Sequence, residues 1–171
     1  DANGDIQAIW WSPAQDTWEV ANLSNATGAP EMQGTIAPYL TKWGAINLAG
    51  TDTNGDVVVT WWTPGITWTT SNLTDLKDGP QLASGPLTTY VTPWGGTNIL
   101  GRNADGDLVV YWWNPTLGPG NWAIENFSDV LENPEVPTGT TTGFSSPSGV
   151  INIFGTAADG DLIRYWWRAG D

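Results

Sequence analysis

The sequence contains neither cysteine nor histidine among its 171 residues. Without cysteine, no disulfide and no thiolate-bound metal can form. Without histidine, both the commonest general base and the commonest metal ligand are missing. Any enzymatic mechanism would depend on carboxylates, hydroxyls or the five basic residues. We therefore expect a protein that is not an enzyme and that carries no cofactor and no metal.

Basic residues are also scarce. Five Lys and Arg against 18 Asp and Glu give a net charge of −13. Such a chain repels phosphate backbones and anionic lipid surfaces, so neither nucleic acid nor membrane is expected as a partner. No apolar run approaches the ~20 residues that a membrane-spanning helix needs. An acidic, lysine-poor surface favours an extracellular, secreted protein.

Among the groups that remain, paired carboxylates are the only plausible catalytic machinery. The acidic residues considered for that role lie in turns and long loops and form no cluster in the sequence: Glu31, Asp75, Asp78, Glu132 and Glu135. A repetitive chain also tends to carry several equivalent weak sites rather than one asymmetric set of catalytic groups. No catalytic residue is therefore assigned.

Tryptophan is present in excess, with 13 residues, and it recurs in register. An Asn-Gly-Asp or Asp-Gly-Asp string precedes each tryptophan pair, and its last aspartate advances by 51, 51 and 54 residues (5 to 56, 56 to 107, 107 to 161). Asparagine and proline columns keep the same step. We therefore predict one repeat domain, residues 1–171, with repeats at 1–51, 52–102 and 103–156 and a partial repeat at 157–171.

Each repeat is predicted to form four short strands. In the second copy these are a Trp-pair strand at 57–62, a strand from Trp68 to Leu73, a third near 86–92 and a fourth near 97–101. The fourth runs through Asn-Gly or Asp-Gly, dipeptides that accept positive φ at both central positions of a tight hairpin. No segment has sustained helical spacing, so the chain is predicted to be all-β.

The Trp-pair strands are largely apolar on both faces, as residues 57–62 and 108–113 show. Such strands must be covered on both sides. Face-to-face stacking of four-stranded antiparallel sheets does this in a β-propeller. The longer loops at 25–34, 75–85 and 129–138 are expected to cross between blades. The predicted fold is therefore a β-propeller.

This grouping gives about three blades per chain. The chain would begin with the last two strands of a blade (6–23), continue with two complete blades and end with the first three strands of another (138–167). Propellers have about four to eight blades, so three are too few to close a ring. We expect self-association, with a dimer forming a six-bladed ring favoured, or else a fragment of a larger propeller. Arg164 occupies an otherwise apolar column, which indicates that the last strand faces solvent or an atypical neighbour.

A strand that follows Asn/Asp-Gly-Asp, ends in Trp and leads through a short loop to another Trp resembles the blades of fucose-binding β-propeller lectins. More loosely, it is similar to the tectonin and tachylectin type. The resemblance implies carbohydrate binding between blades, and some such lectins build rings from chains of few blades. It also implies an Arg before the hairpin and a Glu after it in each fucose site. The matching positions here are apolar, so fucose specificity is not expected: Leu48, Ile99, Ala8, Val59 and Val110.

Tryptophan and asparagine supply the candidate ligand contacts, because aromatic rings stack on the C–H faces of sugars and amides suit sugar hydroxyls. The tryptophan pairs lie inside strands, which favours packing between blades. Packing and binding are weighed evenly for the tryptophans that follow the Trp-pair strands. The Trp-Gly turns favour a surface role, because the third repeat has Ser148 there. The predicted ligand-binding residues are Trp18, Trp68, Trp122, Trp43, Trp94, Asn47, Asn98 and Asn152.

Two recurring motifs are assigned to structure rather than to chemistry. The loop 52–56 superficially resembles a calcium loop, but glycine comes fourth rather than sixth and Thr63 replaces the bidentate glutamate, so a plain hairpin is favoured. The strings that begin at Asn22, Asn72 and Asn126 match the glycosylation sequon. Their regular recurrence indicates a side-chain hydrogen bond that the repeat requires.

Two functions are compatible with these observations. The first is a secreted, lectin-like module with several equivalent sites between blades and affinity through multivalency. The alternative is a structural or assembly propeller, natural or engineered, whose tryptophans all pack and which has no small-molecule ligand.

Overall fold

The computed structural model describes residues 1–83, 85–132 and 136–168. Glu135 and the last residues of the partial repeat lie outside this part of the chain. The strands are β1 Gln7–Ser12, β2 Thr17–Asn22, β3 Met32–Leu40, β4 Ile46–Asp52, β5 Val57–Thr63, β6 Ile66–Asn72, β7 Thr88–Val91, β8 Thr97–Arg102, β9 Leu108–Trp113, β10 Ala123–Asn126, β11 Thr142–Ser145, β12 Val150–Thr156 and β13 Leu162–Arg168. Short helices α1 Leu23–Thr27, α2 Leu73–Lys77 and α3 Phe127–Val130 and a 3-10 turn at Pro115–Leu117 lie between them.

The strands form four antiparallel sheets in chain order. The N-terminal hairpin is β1–β2, the first full blade is β3–β4–β5–β6, the second full blade is β7–β8–β9–β10, and the third sheet is β11–β12–β13. This is the grouping that the loop lengths predicted, with two strands, two complete blades and three strands. The predicted all-β propeller architecture is confirmed.

The sheets meet at their first strands, where side chains bridge neighbouring blades. The Thr88 hydroxyl, on β7, donates to the Thr141 carbonyl, next to β11, at 2.7 Å. The Thr89 hydroxyl donates to the Pro38 carbonyl of β3 at 3.3 Å. The first strands are thus the inner strands, and each sheet runs outward from them, as in a propeller blade.

Strand β9 explains why the Trp-pair strands are apolar on both faces. Val109 and Tyr111 belong to the core cluster between the two full blades. Leu108 and Val110 belong to the cluster between the second full blade and the third sheet. All four side chains are at most 2 % exposed. Since burying a large aliphatic side chain contributes about 1.5–3 kcal/mol, this strand holds both junctions together.

The hairpins before the Trp-pair strands differ from the predicted turn. The Gly55 N–H donates to the Asp52 carbonyl at 3.0 Å, and the Asp52 N–H donates to the Asp56 carbonyl at 3.0 Å. Only the glycine has positive φ, +90° at Gly55 and likewise at Gly106. This pattern is a three-residue loop, a type I turn followed by one left-handed residue. The prediction of positive φ at both central positions was wrong, because a three-residue loop of this type needs positive φ only at its last residue.

The Asn columns are structural, as predicted, and they begin short helices that the sequence did not reveal. The side-chain oxygen Oδ1 of Asn72 accepts the Asp75 N–H at 3.0 Å, and the side-chain Nδ2 of Asn72 donates to the Asp56 carboxylate at 2.9 Å. The Thr74 hydroxyl accepts the Val57 N–H at 2.9 Å. The same bonds recur around Asn22 and Asn126. Each Asn-x-Ser/Thr string therefore caps one helical turn and joins it to the start of the Trp-pair strand.

The short helices do not alter the fold class. Each is four or five residues long, which is too short to be stable without the sheet it follows. Within the described residues, none is long and apolar enough to cross a membrane.

Candidate functional site

A cleft of about 460 Å³ lies between the second full blade and the third sheet. Its volume is in the range of small-ligand pockets. Its walls are mainly aromatic and aliphatic, with few polar groups. The aromatic residues that line it are Tyr90, Trp94, Trp112, Phe127, Tyr165 and Trp167, and Trp113 and Trp166 border it from strand positions that alternate to the opposite faces of their sheets.

The strand register determines which side chains form one wall of the cleft. On the second full blade, Asn98 of β8 pairs with Tyr90 of β7 on one side and with Trp112 of β9 on the other. Residues that pair directly across strands point to the same face of a sheet. An aromatic–amide–aromatic row therefore faces the third sheet. The facing wall is built the same way, with Ile153 of β12 paired with Tyr165 of β13.

Asn98 supplies the buried polar group of this wall. Its side chain is 9 % exposed, and its amide donates to the Tyr90 carbonyl at 3.4 Å. A buried amide needs hydrogen-bond partners to offset the loss of water. Asn98 is thus held in place by its own sheet while lining the cleft.

Tyr90 contributes a hydroxyl that stays protonated. Burial raises the pKa of Tyr90 above its ordinary value. The group is therefore neutral across the physiological range. It adds no charge to the cleft.

Glu125 is a lining residue that the sequence analysis missed. It lies on β10, paired with Val110 of β9, and its side chain is exposed. The corresponding pairs in the other repeats are Ala21 with Ala8 and Ser71 with Val59. Glu125 is the only acidic residue among these three equivalent strand positions. The acidic residues considered from the sequence lie in turns and loops, whereas Glu125 lies on a strand.

Trp94 closes one end of the cleft. It lies in the Trp-Gly turn between β7 and β8, and its ring meets Trp167 of the third sheet edge to face at 6.0 Å. Trp43, in the equivalent turn of the first full blade, meets Trp113 at 5.3 Å. Both rings stay partly in solvent, 50 % for Trp43 and 39 % for Trp94. The predicted surface location is correct, and each ring also packs against the next sheet.

The remaining predicted residues lie elsewhere. Trp18 is 65 % exposed on the N-terminal hairpin and contacts Trp11 edge to face at 5.8 Å. Trp122 packs against the core between the two full blades, and Trp68 is half-buried on the first full blade. Of the eight predicted residues, Trp94 and Asn98 line the cleft.

The equivalent asparagines have unequal surroundings. Asn47 is buried on the first full blade, where its amide donates to the Ala45 carbonyl at 3.2 Å. Asn152 lies on the outer face of the third sheet and accepts two bonds from the Arg164 guanidinium, at 3.1 and 2.7 Å. Arg164 also lies about 6 Å from the ring of Phe154, and its side chain is exposed. Of the two alternatives that the sequence left open, solvent or an atypical neighbour, the described chain leaves this arginine facing solvent.

The hairpin carboxylates are engaged in hydrogen bonds. Asp52 accepts the N–H groups of Asn54 at 2.8 Å and Asp56 at 2.9 Å. Asp56 accepts bonds from the side-chain amides of Asn72 and Gln81 at 2.9 and 3.0 Å. Among the residues that the structure describes, no three acidic side chains come together in a way that could hold a metal ion. The carboxylates of this hairpin act as turn-stabilising groups.

Comparison with solved structures identifies the fold. A fucose lectin from Kordia zhangzhouensis in complex with methyl-fucoside superimposes with a TM-score of 0.53 and 16 % identity, covering 80 % of this chain and 94 % of that one. The six-bladed Aleuria aurantia lectin gives 0.65 and 14 % identity over 99 % of this chain and 50 % of that one. AofleA from Arthrobotrys oligospora gives 0.59 and 12 % identity over 98 % and 48 %.

The chain spans about half the length of the two fungal proteins. No protein-family model and no curated protein sequence matches it. At these identities the likeness concerns the fold. The chain therefore shares the blade architecture of fucose-binding β-propeller lectins, as the tryptophan repeats indicated.

Proposed function

We propose that the chain is a secreted, non-enzymatic carbohydrate-binding module whose principal saccharide site is the cleft between the second full blade and the third sheet. One observation carries this proposal: the cleft combines aromatic walls with a buried amide, Asn98, and a rim carboxylate, Glu125. Aromatic rings can stack on the C–H faces of a pyranose while amide and carboxylate groups bind its hydroxyls. The structural neighbours are lectins, which supports the same function class.

Titration with monosaccharides tests this proposal through tryptophan fluorescence. A saturable change is expected in the wild type, since several tryptophans line the cleft. Trp94→Ala should weaken binding, because it removes the ring at one end of the cleft. Trp10→Ala is the matched control, because Trp10 has similar exposure, 41 % against 39 %, and lies on the N-terminal hairpin. No saturable change across a broad sugar panel would contradict the proposal.

We further propose that the chain self-associates, with a dimer closing a six-bladed ring. The N-terminal hairpin exposes one apolar face, formed by Ile9, Trp11, Trp18 and Val20. The outer face of the third sheet exposes Phe144, Leu162 and Trp166, with Arg164 among them. Two chains carry eight sheets, so a six-bladed ring requires the two-stranded hairpin of each copy to complete the three-stranded sheet of the other as one blade. Exposed apolar faces of this size mark interaction surfaces, and a head-to-tail contact can close into a ring.

Native mass spectrometry at several protein concentrations tests self-association. A dimer that dissociates in Val20→Lys supports the proposal, because Val20 is 65 % exposed on the hairpin face. Thr67→Lys is a control with the same added charge on an exposed position of the first full blade. A monomer at every concentration would contradict ring closure. A stable dimer without any sugar binding would favour a structural propeller instead of a lectin.

A further inference from the structure

We infer that the cleft between the second full blade and the third sheet prefers amine-bearing saccharides, such as hexosamines with a free amino group, over neutral ones. This inference rests on the proposed saccharide function. It concerns the charge of the ligand rather than the presence of the site.

The first observation is the place of Glu125. Among the residues that the structure describes, it is the only acidic one that lines the cleft, and the equivalent strand positions hold Ala21 and Ser71. The repeat folds with a small, uncharged side chain at this position, so the blade does not require the carboxylate. Its location beside Val110, on the face toward the third sheet, directs the charge to the cleft.

The second observation is the lack of positive charge on the walls. No Lys or Arg is among the lining residues. Two arginines of β13 adjoin lining residues in sequence, Arg164 and Arg168, and strand alternation places both on the opposite face of the third sheet. Arg164 hydrogen-bonds there to Asn152. Glu125 is therefore not neutralised from within the cleft. The whole chain adds a net charge of −13, which attracts cations and repels acidic sugars.

The third observation is the aromatic lining. The face of an aromatic ring is electronegative and attracts cations, most strongly for tryptophan. Trp94, Trp112 and Trp167 lie around the same cleft as Glu125. Trp112 is the nearest of these in the strand register, two residues from Val110, the partner of Glu125, and on the same face. An ammonium group bound between them would meet the carboxylate and an aromatic ring together. A hydroxyl at the same position would gain only a hydrogen bond.

Paired titrations with glucosamine and glucose test the inference. They are run at low ionic strength and at a pH below the pKa of the amine, with N-acetylglucosamine as a neutral analogue. Wild-type protein should bind glucosamine about fivefold more tightly than glucose, near the upper limit for a solvent-accessible ion pair. High salt should reduce this preference, since exposed charges are screened.

Glu125→Gln should remove the preference while leaving glucose binding within about twofold, because the amide keeps the shape and hydrogen-bonding capacity of the side chain. Asp129→Asn is the matched control. Asp129 lies four residues further on, is exposed and is not among the lining residues. It changes the net charge equally and should keep the preference.

Equal affinity for glucosamine and glucose in the wild type would overturn the inference and leave the saccharide function intact. Loss of the preference in Asp129→Asn as well would also overturn it, because general charge rather than Glu125 would then be responsible. Absence of binding by all three sugars would overturn the proposed function itself.

Discussion

The two junctions on either side of the second full blade are built from the same repeat, but they differ in their outer strands. At the first, Tyr39 and Leu73 of the first full blade pack with Tyr111 of the second into a continuous core. Ile124 of the outer strand β10 packs against that core. At the second, the described part of the third sheet ends at β13, so no strand corresponding to β10 contributes. The cleft lies at this junction, between the second full blade and the described strands of the third sheet.

This difference shows that a blade junction has a constant inner part and a variable outer part. The inner part follows from β-branched and aromatic columns that every repeat keeps. The outer part depends on whether a fourth strand lies opposite. A second copy that supplied such a strand would narrow the cleft near Glu125. Ligand binding and ring closure are therefore expected to influence one another, by the reciprocity that links two binding equilibria.

Core truncations test the inner part of each junction and should have the largest effect. Ile99 serves the first junction and Leu100 the second, and both are fully buried. Ile99→Ala and Leu100→Ala should each lower the free energy of unfolding by about 2–5 kcal/mol, through lost burial and the cavity left behind. Urea denaturation measures both. A loss below about 1 kcal/mol in either variant would show that its junction is not a packed core.

The two Trp-Gly turns test whether the junctions are functionally alike. Trp94→Ala should weaken sugar binding about tenfold, a loss of about 1.4 kcal/mol, which is at the upper end for an aromatic contact. Trp43→Ala should change the affinity by less than about twofold (under about 0.4 kcal/mol), because Trp43 does not line the cleft and reaches it only through its contact with Trp113. Isothermal titration of both variants with the same sugar makes the comparison. Equal losses would mean that the junctions carry equivalent sites, as the repeat alone predicted.

Two buried tyrosines test whether the inner parts of the two junctions are equally buried. Burial raises the pKa of Tyr39 and of Tyr90, one at each junction. The contribution of these tyrosines to the free energy of unfolding is fully present below the unfolded-state pKa of about 10. Above that pH the free energy of unfolding falls by up to about 1.4 kcal/mol per pH unit for each tyrosine, because the unfolded chain releases a proton that the folded chain keeps.

Denaturation as a function of pH measures this effect. Tyr39→Phe and Tyr90→Phe should each flatten the alkaline loss of stability to a similar extent. A flattening by one variant alone would show that the two inner parts differ in burial in solution.

Much of the fold followed from spacing alone. The grouping into two, four, four and three strands came from loop lengths and from both-sided apolar strands such as residues 57–62. The structural role of Asn72 came from its regular recurrence. The short helices escaped notice because four or five residues are too few for a helical period. The hairpin type was predicted wrongly because Asn-Gly fits both a two-residue turn and the observed three-residue loop.

The candidate site was only partly accessible from the sequence. Trp94 and Asn98 were selected from their repeat columns, whereas the same reasoning selected Trp122, which packs into the core. Equivalent columns have equal local structure, so the sequence could not separate them. Glu125 was missed because its significance comes from the sheet that faces it.

The sequence by itself determined the repeat, the strand grouping, the apolar columns and the lack of histidine and cysteine. These are local properties, since alternation, turn residues and composition act within one blade. The tertiary structure decided which of the equivalent tryptophans and asparagines meet at a cleft and which face solvent. That depends on the neighbouring sheet, and two positions with the same local sequence differ when one is covered and the other is not.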